Sequence, residues 1–120
     1  MIAARTFLAL PLVPTFFPEI SEVLSALRNK ITGVRWGNTE EVHVTLHFFG
    51  ATSDEELCAI PPLVSQVTEK FEPLELALEG LGCFPNPQKP RVIWLGLSGD
   101  TARLEKLQQD LETKLGAAGF

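Results

Sequence analysis

The stretch HVTLHFFG, residues 43–50, holds both histidines of the chain and decides how the rest is read. Valine, threonine and phenylalanine crowd it and glycine stands at its end, a composition that favours a strand over a helix. Side chains alternate along a strand, so Val42, Val44, Leu46 and Phe48 are expected on one face and His43, Thr45, His47 and Phe49 on the other, with Gly50 closing the strand. Phe48 is accordingly expected in the core. Read as a helix, His43 and His47 would converge at i and i+4 and could share a metal. In a strand they stand roughly 13 Å apart, whereas imidazole ligands sit about 2 Å from a zinc ion, so one metal cannot bridge them. Neither a metal nor a cofactor enters the expectation.

His43 and Thr45 are two residues apart, which places them about 6.6 Å from each other on one strand face. Both can then bear on a single tetrahedral group, the imidazole moving a proton at one oxygen and the hydroxyl holding another. A phosphate fits that description. Cleaving a phosphodiester requires one group to activate the nucleophile and another to protonate the leaving oxygen, and imidazole suits either role near pH 7. One histidine supplies half of this. The plainer reading, two histidines on the solvent side of an antiparallel sheet, is the stronger one on strand physics alone, most of all for His47.

Outward from this strand the chain alternates strands and helices. Arg5–Leu12 reads as a buried strand halted by Pro11 and Pro14. Pro18 suits the first turn of a helix with Ile20, Val23, Leu24, Leu27 and Ile31 on its inner face, ending near Gly33. Val34–Trp36 is a short strand candidate, and the histidine strand spans Glu41–Phe49. Ser53 and Glu56 form a capping box for a second helix, with Leu57, Ile60, Val64, Val67 and Phe71 as its stripe. Pro61 and Pro62 either kink this helix or mark its restart. Leu74–Leu81 alternates as a strand, CFPNPQKP reads as a turn-rich loop, and Arg91–Leu97 as another buried strand. Asp100 can cap a last helix carrying Leu104, Leu107, Leu111 and Leu115, with Gly116 and Gly119 beyond its end. The fold class expected is α+β. RTFLALPL and RVIWLGLS, each ahead of a helix, are weakly alike, which leaves an internal duplication open.

The totals bound the function. The 120 residues make one modest domain, 45% apolar, with nine glycines, nine prolines and an interleaved net charge of −5. A duplex-binding protein shows clustered Lys and Arg, because neutralising phosphates supplies most of its affinity; no such cluster exists here. Recognition of one phosphate or one strand end stays compatible with this charge. Cys58 and Cys83 are too few for a disulfide framework or a four-ligand zinc site, so they read as reduced packing residues in a cytoplasmic protein. The apolar start is interrupted by Pro11 and Pro14 and is too short for a membrane span.

Four segments in register carry a resemblance: RTFLALPL at the start, VRW ahead of the histidine strand, HVTLHFFG itself, and GCFPNPQKPRVIWLGL. Together they resemble the two-histidine (2H) phosphoesterases, in particular the 2′-5′ RNA ligase or RNA 2′,3′-cyclic phosphodiesterase family, over nearly the whole chain. The resemblance implies a bilobal fold of antiparallel sheets with helices outside, each lobe lending one His-x-Thr/Ser strand to a shared cleft. It implies RNA ends or cyclic nucleotides as substrate, with hydrolysis of a 2′,3′-cyclic phosphate or 2′-5′ joining without metal. His43 would be one of two proton-transfer groups and Thr45 a phosphate hydrogen-bonder. Arg91 is a candidate for cleft charge and Phe84, expected in a loop, for base stacking.

Only one His-x-Thr is present, since His47 is followed by two phenylalanines. Residues 1–120 are therefore expected to form a single 2H-like domain lacking its last strands and second histidine. They would be inactive or nearly so by themselves, and prone to self-association through uncovered edges. A non-catalytic nucleotide or RNA-end binder that keeps His43 and Thr45 as phosphate contacts is the competing class, and an interaction domain with a merely polar strand face is the third.

Overall fold

The computed structural model describes residues 4–33, 35–84, 86, 88 and 92–120, with the Glu40 side chain excepted. Its elements run β1 (Ala4–Pro11), α1 (Phe17–Arg28), β2 (His43–Thr52), α2 (Asp54–Thr68), β3 (Leu76–Phe84), β4 (Val92–Gly99) and α3 (Thr101–Ala117), with short 3-10 turns at Pro14–Phe16 and Thr39–Glu41. The expected α+β order stands, with two two-stranded sheets, β1 with β2 and β3 with β4. Of the strand candidate at Val34–Trp36, Arg35 and Trp36 are irregular, and Val34 lies outside the described residues. No helix among the described residues is long and apolar enough to cross a membrane.

The chain divides into two compact units, one of Phe7–Phe48 and one of the N-terminal residues through Thr6 with Phe49–Phe120. In the smaller unit, Pro18 stands in the first turn of α1, where a missing amide hydrogen costs nothing, and Ile20 is fully buried. The helix ends at Arg28, earlier than expected. Ile31 is drawn back by its N–H bonding to the Leu27 carbonyl at 2.8 Å, and Gly33 turns the chain with φ +76°. Arg28 reaches from the last turn to the Gly37 carbonyl at 3.1 Å, and α1 packs on the Thr39–Glu41 turn.

In the larger unit the capping box is formed as expected. The Glu56 N–H donates to Ser53 Oγ at 3.2 Å, and the Ser53 N–H donates to Glu56 Oε1 at 2.9 Å. The helix runs unbroken through the exposed Pro61 and Pro62, so it does not restart at Pro61. It packs on α3, and Ile60 and Val67 of α2 with Leu107, Leu111 and Leu115 of α3 make up the buried core of this unit. Burying each such side chain contributes about 1.5–3 kcal/mol.

Asp100 occupies the capping position of α3 yet does not cap it. Its carboxylate instead accepts from the Glu75 N–H at 2.8 Å and from Arg103 at 3.2 Å, tying the helix start to the approach of β3. Gly116 lies inside α3 rather than beyond it. The helix closes with a Schellman turn, in which the Phe120 N–H donates to the Leu115 carbonyl at 2.9 Å and Gly119 takes φ +93°. That turn sets the Phe120 ring edge-on to Phe49, centroids 5.8 Å apart. Among the described residues Thr52, 2% exposed, is the buried polar residue of the core; its hydroxyl donates to the Ala4 carbonyl at 3.1 Å and is hydrogen-bonded to the Thr6 hydroxyl. Cys58 is exposed on α2, so it is not the packing residue expected; Cys83 is half-buried, and both are free thiols.

β3 and β4 are antiparallel, and their register corrects the loop expected at CFPNPQKP. Leu78 faces Leu97 and Leu81 faces Leu95, so Glu79 and Gly80 together oppose Gly96 in a β-bulge, with Gly80 at φ +75°. One extra residue shifts the alternation by one. The face that begins with Leu78 continues through Leu81 and Cys83 opposite Leu95 and Ile93, and the strand extends to Phe84. Gly82, Phe84, Val92 and Trp94 consequently share the other face, where Phe84, Val92 and Trp94 are exposed.

Candidate active site

His43 opens β2, and the turn before it dictates how its ring is held. Asn38 begins the Thr39–Glu41 turn, with the Glu41 N–H donating to the Asn38 carbonyl at 3.0 Å. The Glu41 carboxylate reaches back toward Asn38 at 3.4–3.5 Å. At Val42 the backbone becomes extended, and the Glu41 carbonyl is left beside the imidazole two residues on. His43 Nδ1 lies 2.6 Å from that oxygen. A carbonyl can only accept, so Nδ1 carries the hydrogen and the neutral ring presents its lone pair at Nε2. Nε2 is therefore the atom that can take up or deliver a proton.

Along β2, His43 and Thr45 are exposed while Val44 is half-buried and Leu46 is buried, the alternation expected of the strand. The Thr45 hydroxyl makes no hydrogen bond to any described residue and is available to an incoming oxygen. His47, two residues further, is half-buried.

Beyond Leu46 the simple alternation fails. Phe48 is 57% exposed rather than in the core, and β2 does not stop at Gly50 but passes through it, at φ +76°, as far as Thr52. A residue in that backbone conformation inside a strand re-aims the side chains around it, and glycine adopts it without steric cost. Phe7 of β1, 48% exposed, is the ring that links His43 to Phe48. It stacks on His43 with centroids 5.1 Å apart and planes 24° from parallel, and on Phe48 at 6.5 Å and 8°.

The other expected site residues fall elsewhere. Phe84 ends β3 in the larger unit, 66% exposed and paired with Val92, and is a strand residue rather than a loop residue. Arg91 lies outside the described residues. Two participants escaped the sequence reading. Glu41 acts through its backbone carbonyl, which leaves no side-chain signal, and Phe7 was absorbed into a strand read as buried. No feature of the sequence marked Phe7 apart from its neighbours; the exposure of its ring is what distinguishes it. Among the described residues no three His, Cys, Asp or Glu side chains converge as a metal-binding group.

Comparison with known proteins adds a family to this geometry. An RNA 2′,3′-cyclic phosphodiesterase of Archaeoglobus fulgidus is 34% identical over 116 residues, covering 97% of this chain and 64% of that protein. The enzyme of the same name from Methanothermobacter thermautotrophicus is 32% identical over 97% of this chain and 62% of its own length. That from Aeropyrum pernix is 35% identical over 101 residues, 81% of this chain and 56% of the relative. The chain thus spans about three-fifths of the length of these relatives. The pattern of the LigT-like phosphoesterase family matches residues 12–94, more than half of the chain and including all of β2. The chain belongs to the LigT-like phosphoesterase family.

Proposed function

We infer that the protein containing these residues is an RNA 2′,3′-cyclic phosphodiesterase, opening a cyclic phosphate at an RNA end by paired proton transfer, with His43 as one of the two proton-transfer groups. The observation that carries this reading is the Nδ1–H bond from His43 to the Glu41 carbonyl, which leaves Nε2 as the working nitrogen on an exposed strand face. The names of the relatives supply the substrate class. Thr45, with an uncommitted hydroxyl on the same face, would donate to a phosphate oxygen. Nε2 in its neutral form would take the proton of an attacking water or, when protonated, deliver one to the departing ribose oxygen; the second group does the reverse. With an RNA 5′-hydroxyl attacking in place of water, the same ring opening would leave a 2′-5′ phosphodiester as the 3′-oxygen departs, so 2′-5′ ligation belongs to the same site. We place the protein in the cytoplasm, on the two free thiols.

These 120 residues supply one His-x-Thr motif, so by themselves they are expected to turn over cyclic phosphate little or not at all. The test compares hydrolysis of a 2′,3′-cyclic nucleotide by this chain and by the natural protein that contains it, each with and without His43→Ala. Turnover in the natural protein that falls by about 10²–10⁴ on substitution is the expected result. Saturable binding without turnover would move the assignment to an RNA-end binding module.

A further inference from the structure

The Glu41 carbonyl alone does not fix the His43 ring. A single hydrogen bond at Nδ1 pins one edge, and the imidazole can still pivot about the N–H···O axis, sweeping Nε2 through an arc. A second, non-collinear contact is needed to hold the plane. Phe7 supplies it: its ring lies against the imidazole at 5.1 Å, 24° from parallel, and is itself backed by Phe48 at 6.5 Å and 8°. The three residues belong to one compact unit, Phe7–Phe48. Two large apolar rings, each about half exposed, stand beside a polar strand face where burial gains them little. Ring-to-ring contacts of this kind bias one ring orientation over its neighbours without locking it.

We propose that Phe7 is a positioning residue for His43, holding the imidazole plane so that the Nδ1–H tautomer is kept and Nε2 is aimed at the phosphate. The inference rests on the function proposed above for His43, but its first test does not depend on turnover. Imidazole 15N shifts report which nitrogen carries the hydrogen, and His47, on the same strand, serves as an internal reference. The native chain and Phe7→Tyr are expected to show His43 as a single Nδ1–H tautomer. Phe7→Leu, apolar but without a ring face, is expected to move His43 toward a mixture of both tautomers while His47 stays in place.

Unchanged His43 shifts in Phe7→Leu, equal movement of both histidines, or loss of the signature in Phe7→Tyr would each overturn the proposal. Should Phe7→Leu fail to fold, the native chain still decides. Nuclear Overhauser contacts between the Phe7 and His43 ring protons are required, and their absence overturns it. In the natural protein containing the chain, Phe7→Leu is expected to lower kcat about 10-fold with KM within about 2-fold, as a misaimed proton-transfer group does. A raised KM with kcat kept would make Phe7 a substrate contact instead. If no cyclic phosphate is turned over at all, the proposed function fails, while the tautomer comparison still judges Phe7.

Discussion

The β3–β4 pair and the histidine strand both expose aromatic rings, and both contain a glycine with positive φ inside a strand, yet the rings lean on different things. On β3–β4 the Trp94 indole lies over Gly82; a Cβ built there would fall 1.8 Å from Cζ2, so the ring fills the space of the missing side chain. On β2 the Phe7 ring lies over His43. The first ring shields backbone, and the second holds a group with chemistry of its own. An exposed aromatic on a sheet is thus informative only through what it covers.

The two regions should therefore fail differently when damaged. The largest effect is expected at His43: in the natural protein, His43→Ala removes about 10²–10⁴ in turnover and leaves the thermal midpoint nearly unchanged. A marked fall in stability instead would make His43 a packing residue and erase the contrast. Next comes Gly96→Ala, which drives a Cβ to 2.1 Å from the Glu79 carbonyl oxygen in the bulge. Backbone cannot yield as a side chain can, so a loss of about 1–3 kcal/mol in chemical denaturation is expected, with the rate per folded molecule unaltered. Thr45→Val tests the phosphate contact and should cost roughly 10- to 100-fold in rate, the worth of one hydrogen bond to a charged oxygen. The smallest effect is expected for Trp94→Ala, about 0.5 kcal/mol in stability and none in rate. Loss of rate there would give the β3–β4 face a role with substrate and break the comparison outright.

How much of this could be read beforehand depended on the range of the interaction responsible. The Ser53–Glu56 box and the leucines of α3 are local patterns, and both appear as the sequence implies. So do His43 and Thr45 on one exposed face, since alternation over three residues needs nothing but a strand. The bulge at Glu79–Gly80 was not legible, because a bulge is a relation between two strands and only the partner Gly96 reveals it. Phe84 was taken for a loop residue for that reason. Phe48 was expected inside because alternation was carried on past Leu46 toward Gly50, where the strand's conformation changes. Asp100 looked like a cap from its position, but the Glu75 N–H from 25 residues away competes for its carboxylate and takes it.

The proline pair of α2 has a consequence in exchange with solvent. Pro61 and Pro62 have no N–H to give the carbonyls of Leu57 and Cys58, four residues back, so the ladder of α2 lacks two successive rungs near its midpoint, at a cost of about 3 kcal/mol for each proline in a helix interior. The first half is secured by its capping box and the second by the packing of Val67, with Ile60 buried just before the break. Deuterium uptake should therefore resolve α2 into two segments with separate protection, the amides of the first turn opening independently of those from Val64 onward. One continuous helix in shape would then be two units in its fluctuations, meeting where water can reach the main chain.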